Sequence, residues 1–203
     1  MADPATKEDY VGIPSGIGDL DKMITGLNKS DLIILGARPG MGKTSFALNI
    51  ATNVAKNSKK SVAIFSLEMT NVELTDRLIA SESGISADKL KGKIKMVPEE
   101  WVVLEQSLKK LVKAPLYIDE TPGITLTDFV AKARRLVREK GVEVIFVDYL
   151  QLMHSGKPQS GGFSKVQEVT EISNTLKTTA KDLKVPIIAL AQLNRNLMSR
   201  AGS

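Results

Sequence analysis

Five short apolar runs constrain this chain more than any other feature: "LIIL" (32–35), "VAIF" (62–65), "LYI" (116–118), "VIFV" (144–147) and "IIAL" (187–190). A strand with one face in water alternates apolar and polar residues, whereas a strand covered on both faces is apolar throughout. All five runs are continuous, which predicts a parallel sheet sandwiched between helices. The intervening segments carry helical patterns. Thr70 and Glu73 stand at capping-box spacing with Gly84 as the stop. Pro98, Glu99 and Glu100 suit a first turn, Trp101, Leu104, Leu108 and Leu111 then form one apolar stripe, and Lys113 and Pro115 close the segment. Another helix starts at Thr125 with Asp128 in the N3 position, buries Leu126, Phe129, Val130, Ala133 and Val137, and ends at Gly141. The last runs from Lys165 to Leu183 on Val166, Val169, Ile172, Leu176, Ala180 and Leu183. Strand, helix and strand in this succession imply βαβ units, hence an α/β doubly wound sheet.

Composition excludes several functions. Without cysteine there are no disulfides or thiolate metal sites, and a single histidine, His154, rules against an imidazole cage. "MADPATKEDY" lacks the apolar centre of a signal peptide and reads as a flexible lead-in over residues 1–10. No run approaches the ~18 apolar residues of a membrane span, so the expectation is a cytoplasmic protein with no membrane partner. A net charge of +5 permits an anionic partner without demonstrating one.

The richest stretch is "ARPGMGKTS", comprising Ala37, Arg38, Pro39, Gly40, Met41, Gly42, Lys43, Thr44 and Ser45. It follows an apolar run and opens a helical pattern with Phe46, Ala47, Ile50, Ala51 and Val54 on one face, which is the context a phosphate-binding P-loop requires. Gly40 and Gly42 let successive N–H groups turn inward, and the helix N-terminus adds unpaired donors. Lys43 is then placed for the β- and γ-phosphates of ATP or another NTP, and the Thr44 hydroxyl for Mg²⁺. Ala37 occupies the first glycine position of the strict pattern, so the match is to its relaxed form.

Two carboxylates and an amide follow at strand ends. Asp148 closes "VIFVD", the Walker B arrangement for holding Mg²⁺ directly or through water. Glu68 closes "VAIFSLE"; it fits a base for the attacking water, with a helix-start or surface acid as the alternative that spacing leaves open. Gln192, after "IIALA", fits a γ-phosphate contact, again not decided by spacing. For nucleic acid the residues offer little: Arg134, Arg135 and Arg138 read as a solvated helix face, and Lys157 and Lys165 flank the Gly/Ser-rich loop "HSGKPQSGG" (154–162) with only Phe163 as an aromatic neighbour. His154 reads as incidental.

Taken in order, "GIPSGIGDLDKMITGLNKSDLIILGARPGMGKTSFALNIA", "FSLEM", "VDYLQLM" and "EISNTLKTTAKDLKVPIIALAQLNR" closely resemble the RecA-like P-loop NTPase domain of DnaB-type replicative DNA helicases, over residues 11–195. The resemblance implies a homo-hexameric ring that hydrolyses NTP between subunits and moves along single-stranded DNA. Residue by residue, it implies Walker A roles for Lys43 and Thr44, the catalytic glutamate for Glu68, the Walker B acid for Asp148 and the γ-phosphate sensor for Gln192. It gives the segment 155–165 as a DNA-binding loop and accommodates the alanine at Ala37. RecA and RadA recombinases share the core but are expected to differ in "DYLQLM" and "QLNR". Against the family pattern, the N-terminal domain and linker that organise the ring and receive primase and loader proteins are missing, as are the remaining strands, a second DNA loop and the arginine finger beyond "QLNRNLMSRAGS". The expectation is an incomplete motor domain over 11–203: either a catalytic motor core, or a nucleotide-binding fragment that neither assembles a ring nor turns over.

Overall fold

The computed structural model describes residues 11–156 and 165–193. The elements are α1 (Gly18–Ile24), β1 (Leu32–Ala37), α2 (Lys43–Asn57), β2 (Ser61–Ser66), α3 (Asn71–Ser83), α4 (Ala87–Leu90), α5 (Pro98–Lys113), β3 (Leu116–Glu120), α6 (Leu126–Lys140), β4 (Val142–Asp148), a 3₁₀ turn (Leu150–Leu152), α7 (Lys165–Leu183) and β5 (Ile187–Gln192). All strands are parallel, in the order β1-β5-β4-β2-β3. The lead-in at residues 1–10, Lys157, Phe163 and the tail from Asn194 lie outside the described residues.

Alternate residues of each inner strand feed two separate cores, one per face. Ala63, Phe65, Ile145, Val147, Ile187 and Ala189 pack with Phe129 and Ala133 of α6 and Ile172, Leu176 and Ala180 of α7. Val62, Ile64, Val144, Phe146, Ile188 and Leu190 pack with Ala47, Ala51 and Val54 of α2 and Leu74 and Leu78 of α3. Burial on both faces is why these runs carry no polar alternation. The expected helix starts hold: Thr70 Oγ1 accepts from Glu73 N at 3.3 Å while Thr70 N donates to Glu73 Oε2 at 2.9 Å, and Thr125 Oγ1 accepts from Asp128 N at 3.1 Å. The hydrogen bonds from Thr70 hold the Glu73 carboxyl below its ordinary range. A carboxyl with a lowered folded pKa stabilises fully above the ordinary glutamate range and loses that contribution as pH falls through its lowered value. Thr70→Ala is expected to cost ~1 kcal/mol in urea unfolding at neutral pH, and less in acid once Glu73 is protonated.

Four expectations need correction. Phe46 is partly exposed, and α2 buries Leu48 and Ala55 instead, because Phe46 belongs to the first turn, directly after the P-loop. On α5, Trp101 and Leu108 are exposed; the helix lies on the domain through Glu100, Leu104, Ser107 and Leu111, one step round from the predicted stripe. Val166, at the start of α7, is also exposed. Among the described strands β1 lies at the edge of the sheet and its Ile34 is 49% exposed, so that run is continuous without being covered throughout. Helices α1 and α4 were not anticipated; α1 holds the buried Asp21, whose carboxylate accepts from Ser15 N at 2.8 Å. No helix among the described residues is long and apolar enough to cross a membrane.

Candidate nucleotide-binding site

The strand order brings the carboxyl ends of β1, β5, β4 and β2 side by side, and those ends carry the P-loop, Gln192, Asp148 and the Glu68 turn in that succession. In open α/β sheets this edge is where ligands bind. A cleft of about 490 Å³ opens there, lined by the P-loop residues Arg38, Gly40, Lys43, Thr44 and Ser45 together with Glu68, Met69, Arg77 and Gln192.

The P-loop owes its shape to two glycines. Gly40 (φ 76°) and Gly42 (φ 77°) both adopt left-handed backbone, which a side chain penalises. Gly42 is the N-cap of α2, no side chain caps that helix, and its first turn holds no acid. A 15-residue helix therefore presents uncapped donors and its positive end to the cleft. Ala37 is the last residue of β1, and the Met41 side chain points to solvent, which confines both to backbone roles. The Lys43 ammonium sits 4.6 Å from the centroid of the Tyr149 ring.

Thr44 Oγ1 donates to Asp148 Oδ2 at 2.7 Å, joining the P-loop to the tip of β4 across 104 positions of sequence. Asp148 is only 4% exposed, and its Oδ1 is buried with no hydrogen-bond partner among the described residues. An unpartnered buried carboxylate oxygen is costly, and a hydroxyl with one carboxylate is the hard-oxygen donor set that suits Mg²⁺. That ion takes few protein ligands and completes its shell with water and phosphate. Among the described residues no group of three or more His, Cys, Asp or Glu side chains converges.

Glu68 lies in the turn between β2 and α3, exposed to the cleft. That turn is held at four points: Ser66 Oγ donates to Met69 O at 2.6 Å, Leu67 N to Asp148 O at 2.8 Å, Asn71 N to Glu120 Oε2 at 2.7 Å, and the Thr70–Glu73 box follows. Burial, followed by the charges of Glu68 and Asp148, pushes the Tyr149 phenol up, so it stays neutral beside Lys43. Gln192 ends β5 and faces the same cleft.

The sequence reading missed Arg77. It stands four residues after Glu73 on α3, a spacing that reads as an ordinary surface pair, yet its side chain lines the cleft. The arginines of α6 do not reach this site: Arg134 lies 3.7 Å from Asp182 and Arg138 3.3 Å from Glu139 on the outer surface. His154 is on the surface as well, 4.0 Å from Glu168.

A family model for the DnaB-like helicase C-terminal domain matches residues 12–203. The chain belongs to that family. It is 47% identical over 193 residues to the replicative DNA helicase DnaB of Geobacillus stearothermophilus, covering 95% of this chain and 42% of the relative. To the replicative DNA helicase DnaC of Bacillus subtilis it is 46% identical, covering 96% and 42%. The chain thus spans less than half the length of these relatives. The ATPase domain of G40P superposes with a TM-score of 0.85 at 32% identity, over 96% of this chain and 68% of that one. A DnaB-like replicative helicase studied with primase gives 0.86 at 32% identity, over 96% and 46%. The RecA-like parallel sheet expected from sequence is the fold observed, and family membership sets aside the recombinase alternative.

Proposed function

We propose that this domain is the nucleotide-hydrolysing motor core of a replicative DNA helicase, binding ATP or another NTP with Mg²⁺ at the P-loop. The observation that carries the reading is the joining of Thr44 to Asp148 beside Lys43, with Glu68 across the same cleft. The α2 N-terminus and Lys43 hold the phosphates, Thr44 and Asp148 hold the metal, and Glu68 orients and deprotonates the attacking water. A Mg²⁺ held by Thr44 and Asp148 would supply positive charge beside the phosphates, adding to that of Lys43. Gln192 contacts the γ-phosphate from the neighbouring strand tip, and Arg77 adds a second cation on the α3 side. By family, the motor works as a homo-hexamer that encircles single-stranded DNA in the cytoplasm, with primase and loader proteins as partners.

The decisive test is binding. At a hundred times its dissociation constant, MgATP is expected to stabilise the domain by ~2.7 kcal/mol, read as a thermal shift. Lys43→Ala should abolish most of the shift, and an undiminished shift would put the nucleotide elsewhere. Arg77→Ala should weaken triphosphate binding roughly tenfold or more, the scale of one charge-assisted hydrogen bond. Calorimetry that finds equal affinities would remove Arg77 from the site.

A further inference from the structure

The pairing of β4 with β5 ends at Val147 opposite Ala189, three residues before β5 does. Beyond that point β4 leaves through Asp148 and Tyr149 into the 3₁₀ turn. The tip of β5 would then be supported on one side only, where Ala37 pairs with Gln192 and Leu193 N donates to Ala37 O at 3.0 Å. The other side is closed by a side chain. Gln151 Nε2 donates to Gln192 O at 3.0 Å, and Gln192 N donates to Gln151 Oε1 at 3.2 Å. The N–H and C=O of one strand residue point the same way, and a primary carboxamide offers one acceptor and one donor at matching separation. Glutamate lacks the donor, and methionine lacks both groups at similar volume.

We propose that Gln151 is a positioning residue for Gln192: its carboxamide takes the place of the departed strand and fixes the direction in which the Gln192 side chain leaves β5. The proposal rests on the reading of Gln192 as a γ-phosphate contact. Gln151 touches no substrate in this scheme; its effect passes through the backbone of one residue. It follows that losing Gln151 impairs discrimination between triphosphate and diphosphate while leaving the diphosphate site as it was. A merely structural loss would weaken both nucleotides alike.

The test uses the 203-residue chain with Mg²⁺ and either ATPγS or ADP, titrated calorimetrically. Gln192→Ala should lower the ATPγS-over-ADP preference about tenfold, the scale of one hydrogen bond to a charged group. Gln151→Met should reproduce most of that loss with ADP affinity unchanged. Gln151→Glu, which sets a carboxylate against the Gln192 carbonyl, should do the same and serves if the methionine variant folds poorly. Amide hydrogen exchange at Gln192 should accelerate at least tenfold in Gln151→Met, which leaves that N–H without its acceptor. If Gln192→Ala loses the preference while both Gln151 variants keep it, the positioning role is overturned and the sensor reading stands. If Gln192→Ala keeps the preference, the sensor reading fails and takes the proposal with it. Unchanged exchange at Gln192 in Gln151→Met overturns the clamp itself.

Discussion

Replacing Glu68 with glutamine is expected to leave nucleotide affinity intact and to lower kcat by roughly 10²-fold or more. Glutamine keeps the shape and the two-pronged end of the side chain but cannot accept a proton at neutral pH. A group that acts on the water, and not on the bound phosphates, affects the transition state more than the ground state, which is why kcat falls and binding does not. The turn around Glu68 supports this division of labour: Ser66, Asp148 and Glu120 hold its backbone while the carboxylate itself faces the cleft. The measurement is steady-state phosphate release, with and without single-stranded DNA, in a protein carrying this domain that assembles and hydrolyses nucleotide, beside equilibrium binding of ATPγS. Hydrolysis near the unaltered rate would mean that another group activates the water. Weakened binding together with lost hydrolysis would mean that Glu68 holds nucleotide or metal instead.

How much of this could be read from the chain depends on where each determinant lies. The P-loop is local: glycines, lysine and hydroxyl fall within a few consecutive residues, and the phosphate contacts proposed for them rest on that spacing with a strand before it and a helix after it. The strand-end positions of Asp148 and Gln192 were legible too, because a continuous apolar run ends visibly, whereas Glu68 falls in the turn just past Ser66, where β2 stops. That these tips stand side by side was not legible, since strand order is set by helix packing across the whole domain. Arg77 and Gln151 escaped for the same reason. Gln151 meets Gln192 across 41 positions, and nothing in "DYLQLM" signals a carboxamide closing a strand edge. The misplaced stripe on α5 has a different origin. That helix is apolar on two adjacent faces, so periodicity finds an apolar face without saying which one meets the sheet, and the domain covers Leu104 and Leu111 while leaving Trp101 and Leu108 outside. Phe46 shows the limit at a helix start, where the first turn serves the loop before it and not the core.

The largest effect on stability is expected at Phe129. It and Phe65 are both fully buried, with ring centroids 4.8 Å apart and planes at 63°, an edge-to-face pair between α6 and β2. Phe129→Ala should cost ~3–5 kcal/mol, the sum of lost transfer energy and an imperfectly collapsed cavity, out of the ~5–15 kcal/mol that a domain of this kind commands. Phe129→Leu keeps most of the volume and should cost less than ~1.5 kcal/mol beyond the aromatic contact itself. The aromatic contact adds roughly 0.5–1.5 kcal/mol, and a double-mutant cycle of Phe65→Leu with Phe129→Leu isolates it in urea unfolding. The consequence reaches the site, because Phe65 immediately precedes Ser66 and Leu67, whose hydrogen bonds to Met69 and Asp148 shape the turn that presents Glu68. At a temperature where the Phe129→Leu protein is still fully folded, hydrolysis should therefore fall more than nucleotide affinity does. A cost below ~1 kcal/mol for Phe129→Ala would show that α6 is not packed on the sheet as described, and equal losses in affinity and rate would show that this core supports the P-loop as much as the Glu68 turn.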